Sequence, residues 1–206
     1  HLSLYTQNFE DYNEIFILNP QNGKVVLSTN PSEVGMDKSE YSYFSESVKT
    51  GKMFIQDVFF SQSTNKNQMA VSSPLFCPDH NDNNLIGILI VRIDLHPSLF
   101  ELLLERSGMG KTGETLIANQ DGYAINDLRW YDNAPLKLKI EAEPVRLALQ
   151  KKTGIVETKD YRGVDVLAAY TFIEKMNWAF VSKQDLSEIY SPMRGLFIGL
   201  LMIICS

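Results

Sequence analysis

Histidine and cysteine are scarce in this chain, and the few present are scattered. His1, His80 and His96 fall at a terminus, in a polar loop and ahead of a proline, while Cys77 and Cys205 sit in a Pro/Asp/Asn loop and an apolar tail. Such placement offers no metal-ligand spacing, no base beside a nucleophile and no disulfide framework. Runs of Lys or Arg are missing too, and the net charge is −6, so the electrostatic footprint of a nucleic-acid binder is absent. Gly110-Lys111-Thr112 imitates the end of a phosphate-binding loop, but Glu105 stands where the first glycine is needed. No enzyme class, cofactor, metal or nucleic-acid partner is therefore expected of this segment, and its function is sought in binding and signalling.

What is present is a folded composition, 44% hydrophobic and 21% charged over 206 residues, enough for one large domain or two of about 100 residues. Leu2, Tyr5, Phe9 and Tyr12 recur at helical spacing, which reads as the end of an amphipathic helix over 1–14. Ile15–Leu18 and Lys24–Ser28 flank Asn22-Gly23 and predict a β-hairpin. Asp37 and Glu40 stand as a capping pair for a helix with Tyr41, Phe44 and Val48 on one face and Gly51 as its stop. Strands are expected at 54–60, 68–76 and 86–95. The 79–84 loop resembles a calcium loop, but it lacks the central Gly and has Ile90 in place of the bidentate Glu, so it reads as a polar hairpin loop. Pro97 opens a helix that Gly108 closes.

Beyond Gly108 the pattern repeats. Ile15–Ser28 is echoed by Thr115–Ile125, Lys49-Thr50-Gly51 and Asp57 by Lys152-Thr153-Gly154 and Asp160, and Leu89–Leu95 by Ala179–Leu186. Each unit reads as hairpin, helix, three strands and exit helix, an α+β arrangement with an antiparallel sheet. The expected layout is one module over 15–97, a second over 98–190 and a juxtamembrane segment over 191–206. A second capping pair, Asp185 and Glu188, starts the exit helix, and Pro192 interrupts it. The uncharged run from Gly195 to Cys205 is shorter than the roughly 20 residues of a membrane span; it is expected to be the start of one, with a C-terminal core helix as the other reading.

The hairpin Ile15–Ser28, the Tyr41-Ser42-Tyr43-Phe44 box, Ser72-Ser73-Pro74, Gly87–Leu95 and Gly110-Lys111-Thr112-Gly113 together resemble the double Cache sensor domains. These are tandem PAS-like modules of sensor histidine kinases, chemoreceptors and diguanylate cyclases. The resemblance implies an extracytoplasmic domain of a membrane receptor, a long N-terminal helix through which the chain forms a homodimer, a ligand-binding membrane-distal module and a proximal one leading into the membrane helix.

Family members that bind amino acids have an Arg, a Trp and a Tyr in the box, then a Tyr, an Asp and a last-strand Asp. The matching positions here are Tyr41, Tyr43, Phe44, Phe59, Ser61 and Arg92. Without those carboxylates, but with aromatic walls and a guanidinium, the set points to a small anionic or neutral polar molecule. Ser72 and Ser73 face opposite ways, so only one lines a given pocket; the candidate ligand-binding set is Tyr41, Tyr43, Phe44, Phe59, Ser73 and Arg92. In the second module Tyr123, Trp130, Tyr131 and Tyr170 offer another rim, yet Val145, Leu147 and Leu149 stand where the first has its box. The alternative function is a dimerisation or partner-protein platform that binds nothing small.

Overall fold

The computed structural model describes residues 11–77, 84–95, 100–104 and 108–193. The helix read before residue 11, residues 79–83 of the polar loop, both ends of the helix between Pro97 and Gly108, and the apolar run from Gly195 lie outside the described residues. Among the described residues no helix is long and apolar enough to cross a membrane. The chain divides into two compact units, 1–99 and 100–206, each built on its own antiparallel sheet.

The first unit contains β1 (Tyr12–Leu18), β2 (Val25–Ser28), a 3-10 turn at Pro31–Glu33, α1 (Ser42–Thr50), β3 (Phe54–Ser61), β4 (Lys66–Phe76) and β5 (Leu85–Asp94). The sheet order is β2-β1-β5-β4-β3, so β5, last in sequence, lies at the centre. Side chains alternate across a strand, and register places Leu18 beside Ile88, Phe16 beside Ile90 and Glu14 beside Arg92. On the far side of β5, Ser72 meets Ile90, Ala70 meets Arg92 and Gln68 meets Asp94. One face therefore carries the buried Phe16, Leu18, Ala70, Ile88 and Ile90, and Tyr43 of α1 packs with them.

Two expectations change here. Tyr12–Glu14, read as helix, are strand: Tyr12 pairs with Ile93 and Glu14 with Arg92, and the long-range ladder overrides the helical spacing that ended at Tyr12. In α1 the buried positions are Tyr43 and Ser47, while Val48 is exposed. The helix starts at Ser42, four residues later than the Asp37–Glu40 pair implied, with Tyr41 as N-cap and no side-chain cap bond. Asp37 does not cap it; its carboxylate accepts from the Ser39 amide instead. Gly51 closes the helix at φ +63°, as a left-handed C-cap requires.

The segment 35–38 runs alongside the start of β2: Val25 N–H donates to Met36 O, Gly35 N–H to Val25 O and Lys38 N–H to Gly23 O. Gly23 makes this possible, since its φ is +68° and a Cβ there would lie 2.7 Å from Ser39 Cα. Gly23→Ala is expected to destabilise the first unit by roughly 1–3 kcal/mol. A denaturation midpoint within error of the parent would show that the 35–38 segment yields freely.

The second unit contains a short helical turn α2 (Glu101–Leu104), β6 (Glu114–Ala118), α3 (Glu143–Leu149), β7 (Gly154–Lys159), β8 (Asp165–Ile173), β9 (Trp178–Asp185) and α4 (Leu186–Ile189). Its order, β6-β9-β8-β7, reproduces that of β1, β5, β4 and β3. The counterpart of β2 shrinks to isolated bridges, Ala118 with Ala124 and Tyr123 with Lys139. α3 covers the sheet with Val145 and Ala148 in a core that includes Leu116, Ala168, Ala179 and Val181.

Glu188 does not form the expected cap with Asp185, whose side chain makes no capping bond. Its carboxylate instead accepts from Lys111 N–H and Thr112 N–H, each at 2.7 Å, and from the Thr112 hydroxyl at 2.5 Å. α4 is thereby tied to the loop before β6. The bonds from Lys111 and Thr112 pull the Glu188 carboxyl from 4.5 to about 2. A depressed carboxyl stabilises above its unfolded pKa and loses that contribution as pH falls through the folded value. Exchange protection at the Lys111 and Thr112 amides should accordingly persist at pH 4 and fade towards pH 2, and Glu188→Gln should weaken it at pH 4 and above, the difference closing towards pH 2. Protection unchanged in the variant would mean the tie holds nothing.

Candidate ligand-binding site

The charged and aromatic residues of the first unit meet on the helix-covered face of its sheet. Arg92 is fully buried, and its Nη1 donates to Glu14 Oε2 at 3.0 Å and to Ser63 Oγ at 3.1 Å. Its guanidinium carbon lies 5.0 Å from the centre of the Phe16 ring. Glu14 Oε1 accepts from the Ser28 hydroxyl at 2.6 Å. Burial pushes the Glu14 carboxyl up, against the Ser28 bond and the Arg92 charge. A second buried pair, Lys38 and Glu33 at 2.6 Å, lies close enough to act on Glu14. Burial would raise Glu33 as well, but Lys38 outweighs it and holds the carboxyl below its ordinary value.

Over this floor lie the aromatics. Tyr41 and Tyr43 stack at 5.0 Å with an interplanar angle of 7°, and Phe59 lies 5.8 Å from the first ring and 6.3 Å from the second. Burial drives the Tyr43 hydroxyl pKa upward, with Arg92 near enough to oppose it. α1 is fastened to the sheet by Tyr43 N–H donating to Gln56 Oε1 at 2.9 Å and by the buried Ser47–Ser72 hydroxyl pair at 2.6 Å.

What this face leaves unmade is its most informative feature. Among the described residues, Arg92 Nε and Nη2, both polar atoms of the Gln68 amide, Tyr43 Oη and Thr64 Oγ1 are buried without a hydrogen bond. Buried polar groups are nearly always satisfied, and a buried donor or acceptor left alone costs about 1–3 kcal/mol. Arg92, Gln68 and Tyr43 bring several of these atoms to one face of the sheet, beneath the same aromatic cover.

Of the sequence-derived set, Tyr41, Tyr43, Phe59 and Arg92 come together here. Phe44 is half-buried at the margin of the same apolar cluster. Ser73 does not join them, because Ser72 holds the helix-facing position and its neighbour faces the other side. Ser61 is buried at the end of β3, bonded to Ser63. Sequence reasoning missed Glu14, Glu33, Lys38, Ser63 and Gln68. For Glu14 and Gln68 a signal existed: each shares strand parity with an inward-facing neighbour, Phe16 and Ala70.

The second unit repeats the design with its buried polar atoms paired to one another. Glu114 pairs in register with Lys183, as Glu14 does with Arg92, and the two form an ion pair at 2.8 Å. Glu114 also accepts from Tyr161 Oη at 2.9 and 2.8 Å and from Arg129 N–H at 2.5 Å. Lys183 also bonds Asp160, and Arg162 bridges Asp160 at 2.6 Å and Asp185 at 2.5 Å. Trp130 covers the cluster, with Arg162 3.8 Å and Lys183 5.1 Å from its ring centre. Among the described residues of this unit no buried side-chain polar atom lacks a partner.

The family model of the Cache domain (dCache_1) matches residues 1–193. The chain belongs to the Cache domain family. Solved structures agree with that assignment in fold. The periplasmic sensory domain of the Campylobacter jejuni chemoreceptor Tlp1 is similar at a TM-score of 0.70 with 14% identity, covering 93% of this chain and 78% of that one. The ligand-binding domain of C. jejuni Tlp3, solved with 4-methylisoleucine, gives 0.65 with 17% identity over 91% and 70%. The extracellular domain of rpHK1S-Z16, assigned as a histidine kinase, gives 0.67 with 15% identity over 92% and 77%. Comparison with curated proteins returns no match. The Cache chain is thus related in fold to the sensor domains of chemoreceptors and histidine kinases, with a predominantly antiparallel architecture.

Proposed function

We propose that this Cache chain is the extracytoplasmic ligand-sensing part of a transmembrane receptor, of the sensor histidine kinase or chemoreceptor type. In this reading its units are tandem modules, the first membrane-distal and the second membrane-proximal. The first binds a small anionic or neutral polar molecule between the Tyr41–Tyr43 stack and the sheet. The carrying observation is the contrast between the units: the same acid–base register ends in unsatisfied buried donors in the first and in a self-satisfied cluster in the second. The 4-methylisoleucine complex of Tlp3 and the γ-aminobutyrate complex of Pseudomonas aeruginosa PctC support a small molecule as the ligand.

Binding biases signalling only through its differential affinity for two arrangements. The route out is the end of β9 and α4, held by Glu188, towards a membrane helix, with a homodimer as the signalling form. Isothermal titration against a metabolite library tests the reading. Heat of binding that is lost in Tyr43→Ala but kept in Trp130→Ala supports it; binding that depends on Trp130 alone moves the site to the second unit. A partner-protein platform is the second reading, favoured by the exposed Val26, Leu27, Val34 and Met36 around β2. Capture of a second protein through that surface, with no small ligand found, would replace the first reading.

A further inference from the structure

Resting on that reading, we infer that the ligand carries a carboxylate that docks on the free edge of Arg92, with a hydroxyl or carbonyl next to it that meets the Gln68 amide. Arg92 spends Nη1 on Glu14 and Ser63, while Nε and Nη2 remain without a partner among the described residues. Those two donors lie side by side on one edge of the guanidinium, the fork that matches the two oxygens of a carboxylate. A lone hydroxyl or amide oxygen would answer only one of them.

The second anchor follows from register. Ala70 stands directly opposite Arg92 and Gln68 opposite Asp94, so the amide is the diagonal neighbour of the guanidinium on the same face, within reach of a long side chain. Ala70 contributes only a methyl group between them. Both the donor and the acceptor of Gln68 are free, which suits a group that accepts, donates or does both beside the carboxylate. Tyr43 Oη, which lies near enough to Arg92 to feel its charge, closes the set from the helix side.

An ammonium group finds no such welcome. Glu14 is bound by Arg92 and Ser28, Glu33 by Lys38 and Asp94 by Lys66 at 2.9 Å, so each carboxylate on this face already has a cation. Arg92 already shares its charge with Glu14, which favours a single negative charge over a phosphate dianion. The class that remains is a 2-hydroxy or 2-oxo monocarboxylic acid, with a flat or apolar remainder against Tyr41 and Phe59.

The test uses the 206-residue chain in a carboxylate-free buffer, with glycolate and mandelate against glycolamide, mandelamide and glycinamide. Melting temperature and the arginine Nε–H resonances of 15N-labelled protein are read. An acid should raise the melting temperature where its amide does not, and should shift one buried Nε–H resonance that is absent from Arg92→Lys. That variant keeps the charge and loses the fork, so affinity should drop at least about tenfold. Gln68→Leu should weaken glycolate relative to acetate. If the amides or glycinamide bind better than the acids, the carboxylate inference is overturned while a sensing first unit stands. If no probe moves either readout at high millimolar concentration, both fall. Should Arg92→Lys not fold, the resonance shift in the parent chain still decides.

Discussion

Replacing Lys183 by methionine is expected to cost the second unit about 3–5 kcal/mol. Its ammonium is 3% exposed as part of a residue that touches both Glu114 and Asp160. Taking it away strands two buried carboxylates, which retain Tyr161 and the Arg129 amide on one side and Arg162 and the Val164 amide on the other. The methionine is close in shape, so little packing is lost with the charge. Both tryptophans, Trp130 and Trp178, belong to this unit, and denaturation followed by tryptophan fluorescence therefore reports on it. A loss below about 1 kcal/mol would place the cluster with solvated ion pairs rather than buried ones.

The same cluster sets an acid limit. Burial would raise the Asp160 carboxyl, but the bonds from Lys183 and Arg162 outweigh it and hold it below its ordinary value. Stability from such a group is complete above the unfolded pKa near 3.9 and is lost as pH falls through the folded value. In the Lys183 variant the loss should begin at higher pH, since a main cause of the depression is gone.

Glu14→Leu should be of similar size in the first unit, about 3–5 kcal/mol, for the opposite reason. Here a cation is stranded, since Arg92 is fully buried and Glu14 is its only described counter-ion within salt-bridge distance. The double variant Glu14→Leu/Arg92→Met should recover much of the loss, because two apolar side chains of similar length replace both charges at once. Amide exchange along β1 and β5 gives the measurement. A double variant as weak as the sum of its parts would show that the two charges do not depend on one another.

The sequence carried the strands plainly, because Ile15–Leu18, Gln68–Phe76 and Ile86–Leu95 alternate or run apolar between turn residues. It also carried the repeat, whereas the equivalence of Arg92 and Lys183 emerges from their register opposite Glu14 and Glu114. The beginning of β1 was hidden, since Tyr12, Asn13 and Glu14 are ordered by pairing with β5 and not by any local preference. The buried stripe of α1 was hidden for a related reason: Tyr43 and Ser47 face inward, and a serine gives no hydropathic signal when its partner is another serine across the interface. Gln68 carries no hydropathic mark of burial, and only its register opposite Asp94 places it diagonally beside Arg92. Glu33 and Lys38 meet only because 35–38 lies along β2, a docking made of backbone bonds that side-chain patterns do not encode.

The placement of Arg92 also limits how the domain can move. It sits on β5, hydrogen-bonded to β1 on one side and β4 on the other, and a one-residue slide of that strand would turn its side chain to the opposite face. Neighbouring ladders forbid such a slide without breaking both at once. A response that begins at this guanidinium therefore travels as a bend or twist of the whole sheet, or as a tilt of α1 about its Ser47–Ser72 pin, and never as one strand sliding past its neighbours.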